Sequence, residues 1–389
     1  MFLALTRKRF SVAVLLSLLV LMPGIRLRAE VEATVSKQEQ ALLKLLPQHI
    51  FSIPDPLAVA GKRKFSLSQP MSVAIDDQDG NIYVSDAKNR VVIFNEDGAL
   101  LGSFGSSGSA PGQFNIPVSL HIDQTQRKLY VLDQRNWRVQ VFKLSDELVE
   151  SDEPAEESDD DQQVVVQKQV PLVEPTMIIP LPMGTVPQLG EQAVVKKNGV
   201  IYPTRSMDLA TDSFGKVIVL DGGWHRFLLF NEQGEYLTKL GSVGKARDKF
   251  YFPKAFDLAE VEYLDEKNRK KKRIQYYVAD TINRRISVVT ERGDVLYLIG
   301  INETKKADFT MPTGVALDDQ QNLYVVDRMS AECHVFDGDG QLIFSFGQEG
   351  DLYEKLYLPL QIAISSKRKR LCITDMGNDR LMVYKMSSQ

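Results

Sequence analysis

The sequence lacks the short motifs that mark several large classes of enzyme. It contains no G-x-S-x-G, H-E-x-x-H or C-x-x-C-H sequence and no phosphate-binding loop. Those motifs position the nucleophile, the zinc ligands, the haem attachment and the phosphate cradle of their classes. Histidine is also scarce, with four residues in 389, so a site of three converging imidazoles is hard to assemble. The sequence therefore predicts no catalytic residues, no bound metal and no cofactor.

Long apolar segments are missing after residue 29. Before it, a basic start at Arg7 to Arg9 is followed by an apolar run from Val12 to Met22 and by Ala29. This order is typical of a secretory signal peptide, and the run is too short to span a bilayer of about 30 Å. No cysteine lies beside the cleavage site, which argues against a lipoprotein. We expect a periplasmic or secreted protein with no transmembrane segment after signal cleavage.

Basic residues are not in excess either. The formal net charge of −4, together with the expected compartment, argues against nucleic acid as a partner. The strongest charge run is acidic, because residues 146–161 hold ten carboxylates and no basic residue. Such a run predicts a solvated linker. Residues 162–200 follow it as an insertion rich in valine, proline and glycine, whose structure the sequence does not define.

Six copies of one pattern make up most of the remaining chain. The first copy, from Pro70 to Pro117, contains four short strands rich in β-branched and aromatic residues, separated by turn residues. Pro312 and Pro359 have the same spacing, which lies within the range of one propeller blade. Hairpin-linked antiparallel strands in every copy favour a propeller over a solenoid, the competing repeat architecture. The copies begin at Pro70, Pro117, Met207, Pro253, Pro312 and Pro359.

The two ends of the repeat region complement each other. The last copy ends after its third strand, near Val383, whereas His49 to Phe65 resembles the last strand and exit loop of a copy. We therefore predict that the segment near Phe51 supplies the outer strand of the last blade and closes the ring. The predicted fold is all-β, a six-bladed β-propeller of four-stranded antiparallel blades. The predicted division is a signal peptide at 1–29, a short helical lead at 30–48 and one propeller at 49–389, with the linker and insertion at 145–200.

The turn between the second and third strands carries the pattern D-x-x-N-x-R ahead of a hydrophobic strand. It is complete at Asp133 to Arg138, Asp280 to Arg285 and Asp375 to Arg380. Asp86 to Arg90 is one residue shorter, and Asp221 to Arg226 has tryptophan in place of asparagine. This pattern resembles the NHL-repeat family of six-bladed propellers, in its secreted bacterial form. The resemblance implies the fold, and it implies little about activity because this architecture hosts binding modules and enzymes.

Two functions stay open at this point. The resemblance, the secretion signal and the missing catalytic motifs favour an extracytoplasmic protein-interaction or scaffolding propeller. Such a protein presents a rigid disc face to a protein partner or envelope complex. The alternative is a zinc-dependent lyase or hydrolase that uses the propeller channel. It is implied by the peptidyl-hydroxyglycine amidating lyase of the same family, whose channel holds zinc on three histidines.

Departures from the repeat are the candidate binding residues, since the recurring Asp and Arg of the turns are expected to be structural. His121 stands in a first strand where the other copies mostly have alanine, so its imidazole is predicted near the channel. Trp137, Trp224, His225 and Arg284 lie in turns of one face. They either anchor a partner or cap the ends of the blades.

Basic residues cluster in the turns between the first and second strands of the fourth and sixth copies. In an antiparallel blade these turns leave the disc on the same side as the acidic linker. We predict a surface for an anionic partner there and hypothesise that the linker competes for it. Deleting residues 146–161 should then strengthen binding to anionic surfaces and its salt dependence. The basic residues are Lys267, Arg269, Lys270, Lys271, Lys272, Arg273, Lys367, Arg368, Lys369 and Arg370.

The two cysteines, Cys333 and Cys372, occupy apolar strand positions of different copies. This placement predicts two free buried thiols. A disulfide between them is the alternative, and it requires Cα atoms within about 7 Å.

Overall fold

A computed structural model describes residues 46–54, 66–144, 149–150, 169–170, 175–181, 206–300, 303 and 307–386. These residues form six antiparallel sheets of four strands and one two-stranded ribbon. The innermost strands of successive sheets contact one another in a closed cycle. The prediction of an all-β, six-bladed propeller is therefore confirmed.

The strands number twenty-six in the described residues. From innermost to outermost, the blades are β2-β3-β4-β5, β6-β7-β8-β11, β12-β13-β14-β15, β16-β17-β18-β19, β20-β21-β22-β23 and β24-β25-β26-β1. In chain order the strands are β1 (Gln48–Ile53), β2 (Ser72–Ile75), β3 (Ile82–Asp86), β4 (Arg90–Phe94), β5 (Leu100–Phe104), β6 (Pro117–Asp123), β7 (Lys128–Asp133), β8 (Arg138–Lys143), β9 (Val149–Glu150), β10 (Gln169–Val170), β11 (Met177–Pro180), β12 (Ser206–Thr211), β13 (Val217–Asp221), β14 (Arg226–Phe230), β15 (Tyr236–Leu240), β16 (Ala255–Leu264), β17 (Lys270–Asp280), β18 (Arg285–Thr290), β19 (Val295–Gly300), β20 (Pro312–Leu317), β21 (Leu323–Asp327), β22 (Glu332–Phe336), β23 (Leu342–Phe346), β24 (Pro359–Ser365), β25 (Arg370–Asp375) and β26 (Arg380–Lys385).

The first strand closes the ring. β1 pairs antiparallel with β26, and Phe51 lies opposite Val383. Ile53 of β1 packs with Leu381 and Val383 in the core between the sixth and first blades. The predicted closure is confirmed, and the sixth blade depends on residues from both ends of the repeat region.

The hydrophobic core consists of six clusters, each lying between two adjacent blades. Successive side chains of a strand point to opposite sheet faces. Val73 therefore packs towards the sixth blade and Ala74 towards the second. Because both faces of a sheet are covered, its strands are apolar throughout rather than alternating.

The disc has two faces, which differ in their connections. The "loop face" carries the turns between second and third strands and the loops that lead into the next blade. The "hairpin face" carries the turns between first and second and between third and fourth strands. The innermost strand β16 is 10 residues long, against 4 to 7 residues for the other innermost strands, and its partner β17 is 11 residues long. Their hairpin therefore extends beyond the hairpin face.

Several expectations fall outside the described residues. They concern the signal peptide at 1–29, the helical lead up to residue 45, and the acidic linker and insertion apart from β9, β10 and β11. The ribbon formed by β9 and β10 lies beside β5, the outermost strand of the first blade. Where the structure describes the chain, it contains no helix long and apolar enough to cross a membrane.

Candidate binding face

The aspartate of each D-x-x-N-x-R turn is buried and organises the loop face. Asp280 accepts hydrogen bonds from the backbone N–H of Tyr251 at 2.6 Å, from Nδ2 of Asn283 at 2.7 Å and from Nε of Arg285 at 2.8 Å. The Arg285 guanidinium also donates to the carbonyls of Ala246 and Lys249. The turn thus fixes the loop arriving from the preceding blade, which explains why Asp and Arg recur. Asp133 and Asp375 repeat this arrangement with Arg138 and Arg380.

Three of the predicted binding residues occupy one equivalent position, the left-handed residue just before the third strand. At this position φ lies between 49° and 59° in all six blades, and the residues are Asn89, Trp137, His225, Arg284, Ala331 and Asp379. His225 Nδ1 accepts the backbone N–H of Phe252 at 2.9 Å, and Arg284 Nε donates to the Phe309 carbonyl at 2.6 Å. Trp137 packs on the core between the second and third blades. Each of these three side chains therefore links its blade to the next.

Trp224 precedes His225 in the same turn. The Arg226 guanidinium lies 5.6 Å from the centroid of the Trp224 ring. Arg226 in turn pairs with Asp221 at 3.1 Å. The tryptophan thus covers a buried ion pair at the loop face. Partner binding by Trp137, Trp224, His225 and Arg284 stays a prediction.

The innermost strands carry polar side chains for a geometrical reason. Each is an edge strand, so its N–H groups towards the neighbouring blade lack a strand partner. Side chains of the preceding blade accept them. Ser72 Oγ accepts from Leu120 N at 2.9 Å, Asp208 Oδ2 from Phe256 N at 3.0 Å, and Asp257 Oδ2 from Leu317 N at 2.8 Å.

His121 belongs to this group. Its Nε2 atom lies 3.2 Å from the backbone nitrogen of Thr211 and 2.8 Å from Thr211 Oγ1. Accepting a backbone N–H requires an unprotonated Nε2, so the geometry assigns the proton of the neutral ring to Nδ1. Burial lowers the pKa of His121 to about 4, partly offset by Asp123. Both observations describe a neutral side chain that links the second and third blades.

The four histidines do not come together. His49 lies in β1, His121 in β6, His225 in a turn of the third blade and His334 in β22. Within the ranges that the structure describes, no three His, Cys, Asp or Glu side chains form a group that could hold a metal ion. The histidines therefore do not fit the three-histidine zinc site that the lyase resemblance implies.

Two side chains approach each other across the channel. Asp208 of the third blade and Gln361 of the sixth, on the opposite side of the ring, are close enough for the Gln361 amide to affect the Asp208 carboxyl group. Asp208 Oδ1 also accepts from Ser119 Oγ at 2.6 Å. Burial raises the pKa of Asp208 to about 6 and that of Asp257 to about 7. At the level of Asp208 the channel is thus narrowed by side chains.

Among the loops and turns, exposed apolar side chains are concentrated on the loop face. Of the thirteen large ones in the described part of the chain, six lie on that face, two, Phe214 and Leu264, lie on the hairpin face, and five lie on outermost strands. The six lie between the fourth and sixth blades: Phe252, Ile282, Met329, Leu352, Tyr353 and Tyr357. Sequence reasoning missed this patch. The sequence contains one sign of this patch, at the third residue of the turn counted from its aspartate. Ile282 and Met329 are apolar there, whereas the other blades have Lys88, Arg135, Gly223 and Gly377.

Arg328 lies beside this patch. Its Nη1 and Nη2 atoms are 3.5 and 3.6 Å from Met376 Sδ, in the adjoining blade. The guanidinium is partly buried, and burial alone lowers the pKa of Arg328. Lys254 of the fourth blade similarly lies 3.8 Å from Met207 Sδ. Positive charge and thioether groups therefore meet at the start of the innermost strands.

The predicted basic residues share the hairpin face, but on blades four and six, with the fifth between them. Carboxylates of β16 and its turn accompany the first group, since Lys272 pairs with Glu260 and Arg269 with Asp265, both at 2.6 Å. In the second group, Arg368 donates to the carbonyl of Asp77 at 3.1 Å. Binding of an anionic partner by either group stays a prediction, and the acidic linker proposed to compete there lies outside the described residues.

Both cysteines are free and buried, as the strand pattern predicted. Cys333 lies in the core between the fifth and sixth blades, and Cys372 in the core between the sixth and first. Burial raises the pKa of the Cys372 thiol to about 12 and also raises that of Cys333. Neither is therefore a thiolate near neutral pH.

Known proteins share this repeat over short segments. A family of six-bladed β-propellers matches residues 59–158. Peptidyl-glycine alpha-amidating monooxygenase of Mus musculus is 40% identical over 81 residues, 19% of this chain and 8% of that protein. NHL repeat-containing protein 3 of Homo sapiens is 34% identical over 95 residues, 22% of this chain and 27% of that protein. The matched part of the chain thus spans a small fraction of these relatives.

A solved streptogramin B lyase structure is similar in fold, with 8% identity and a TM-score of 0.49 over 83% of this chain and 95% of that one. At that level the likeness carries no argument about function. The repeat segments, the six blades and the Asp–Arg turns agree with one another. The chain is a six-bladed β-propeller, and its repeats are similar to those of NHL repeat-containing proteins.

Proposed function

We propose that this propeller binds a protein partner outside the cytoplasm and that the loop face of blades four to six is the surface it presents. The main support for this proposal is the group of exposed apolar side chains there. Two of them, Ile282 and Met329, are 50% and 55% exposed. Apolar and aromatic side chains that share one exposed surface are typical of protein interaction sites. Aromatic residues such as Tyr357 also dominate binding energies at such surfaces.

The rigidity of the face supports this proposal. The buried pairs Asp280–Arg285 and Asp375–Arg380 hold the loops that carry Phe252 and Tyr357. Loops held in one conformation lose little entropy on binding, so more of the contact energy appears as affinity. A scaffolding protein benefits from such a preorganised surface. The extracytoplasmic location rests on the signal-like amino terminus.

A zinc-dependent lyase is the second candidate, because the repeats resemble the family that includes the peptidyl-hydroxyglycine amidating lyase, and a segment of the chain matches an amidating enzyme of mouse. The placement of the four histidines in four blades does not fit its three-histidine site. Zinc analysis of the purified protein by mass spectrometry separates the candidates. Stoichiometric zinc that disappears in His121→Ala would favour the lyase.

Site-specific photo-crosslinking in the native host tests the binding proposal. A benzophenone amino acid is placed at Met329 on the loop face or, as the control, at Phe214 on the hairpin face, 69% exposed. We expect a discrete protein adduct from position 329 and none from position 214. Adducts from position 214 alone, or from neither position, would contradict the proposal.

A further inference from the structure

We propose that the channel mouth on the loop face receives the free carboxyl terminus of a polypeptide whose last residue is apolar. This inference rests on the proposed protein-binding function and names the part of the partner that enters the mouth. It follows from an unbalanced cation, from the apolar groups beside it and from the narrowing of the channel below it.

The mouth is formed where each innermost strand begins. Where the residue after the turn aspartate has a polar side chain, that side chain reaches towards the next blade, as Gln134 Nε2 does to Met207 Sδ at 3.9 Å and Thr281 Oγ1 does to the Pro312 carbonyl at 2.8 Å. None of the residues at this position is acidic. They are Ala87, Gln134, Gly222, Thr281, Arg328 and Met376.

Arg328 supplies the charge. Within the described ranges, its guanidinium makes side-chain hydrogen bonds only to the thioether of Met376, a weak acceptor, and has no ion pair within 4 Å. The other five turns place a neutral residue here. A guanidinium has the fork geometry that binds a carboxylate through two parallel hydrogen bonds.

Apolar side chains lie against the cation or next to its neighbours. Met376 contacts it, Met329 follows it in the chain, and Tyr357 lies against Gly377, next to Met376. Methionine side chains adapt their shape and polarise readily, so they suit apolar ligands of varied form. The ligand chemistry that fits is therefore a carboxylate directly beside a large apolar side chain.

The side chains below the mouth favour the end of a polypeptide over an internal segment. Asp208 and Gln361 approach each other across the axis one layer below the mouth, so they narrow the channel for a strand that would pass through it. A terminal residue needs no continuation, and its α-carboxylate and side chain are separated by a single carbon. An internal acidic residue would have to bring two chain segments into the same space.

Twenty fluorescein-labelled hexapeptides that differ only in the last residue, each as free acid and as amide, test this inference. Fluorescence anisotropy with the full mature protein should show binding by free acids that end in Leu, Ile, Met, Val or Phe. The matching amides should bind at least tenfold more weakly. Arg328→Met should reproduce that loss, Arg328→Lys should lose less, and Arg292→Met on the hairpin face should leave binding unchanged.

Absence of binding by every free acid at 1 mM, equal binding of acids and amides, or equal affinity of wild type and Arg328→Met would overturn the inference. Binding of free apolar amino acids as tightly as the hexapeptides would assign the mouth to a small carboxylic acid instead and would also overturn it. Thermal unfolding of each variant verifies folding, and Arg328→Lys keeps the test informative if Arg328→Met is unstable. A crosslinked partner at position 329 without peptide binding would leave the proposed function standing and this inference refuted.

Discussion

Nε2 of His121 accepts the backbone N–H of Thr211 at 3.2 Å, so an imidazole in the second blade completes the hydrogen bonding of an edge strand in the third. The neighbouring Thr211 Oγ1 lies 2.8 Å from the same nitrogen. Protonation of Nε2 would place two N–H groups face to face. This contact makes the junction between the two blades sensitive to pH.

We expect His121 to stabilise the fold in a pH-dependent way. Its folded pKa of about 4 lies below the ordinary value of 6.5, so the unfolded chain binds a proton first as the pH falls. The stabilisation is complete above about pH 6.5 and lost towards pH 4. His121→Gln keeps an acceptor without titrating. Urea unfolding at pH 4, 5.5 and 7 should show the wild type losing on the order of 2–3 kcal/mol relative to this variant between pH 7 and 4. If the free energies of unfolding of wild type and His121→Gln changed in parallel with pH, a neutral, hydrogen-bonded His121 would be contradicted.

Asp257 should show the opposite dependence. Burial raises its folded pKa from 3.8 to about 7, so the folded protein binds the additional proton. Its stabilising contribution is present below about pH 3.8 and lost as the pH rises through about 7. Asp257→Asn retains a carbonyl oxygen for Leu317 N and should therefore gain stability relative to wild type as the pH rises from 4 to 7. The exposed Asp97→Asn serves as control and should follow the wild type at every pH.

The ring closure makes the first strand part of the core. Ile53 is buried with Leu381 and Val383, whereas Ile50 of the same strand is 38% exposed. Ile53→Ala should lower the free energy of unfolding by about 2–4 kcal/mol, because it leaves a cavity between two blades. Ile50→Ala should cost less than about 1 kcal/mol. Chemical denaturation measures both, and equal losses would mean that β1 is not integrated into the sixth blade.

The turn aspartates should be essential to stability. Asp375→Asn leaves the buried Arg380 guanidinium without its counter-charge, and breaking such a pair costs about 3–5 kcal/mol. Asp265 also pairs with an arginine, Arg269, but that guanidinium is largely exposed. Asp265→Asn should leave the midpoint of thermal unfolding almost unchanged. A similar loss of stability in both variants would show that burial does not determine how much these ion pairs contribute to stability.

The fold was predictable because the sequence contains six copies of the same strand and turn pattern. The proline-to-proline period and the apolar strands recur, and the incomplete last copy indicated that Phe51 would lie opposite Val383. The Asp–Arg turns were also predictable as structural, since a residue present in several blades cannot serve one unique site. Repetition thus reveals what all blades share.

What distinguishes the blades was harder to predict. The approach of Asp208 to Gln361 involves opposite blades and residues 153 positions apart, and no local pattern marks it. The roles of His225 and Arg284 were open because their neighbours, the loops before the next blade, are set by tertiary structure. The apolar patch combines turn residues from separate copies and becomes visible only when their positions are placed on one face.

The affinity for the protein captured by crosslinking, measured by surface plasmon resonance, tests the central claim most directly. The variant Ile282→Asp/Met329→Asp introduces two charges into the loop face, and Phe214→Asp introduces one into the hairpin face. The account predicts that the double variant binds at least about tenfold more weakly and that Phe214→Asp binds like the wild type. Unchanged affinity of the double variant, with loss of binding by Phe214→Asp, would contradict it.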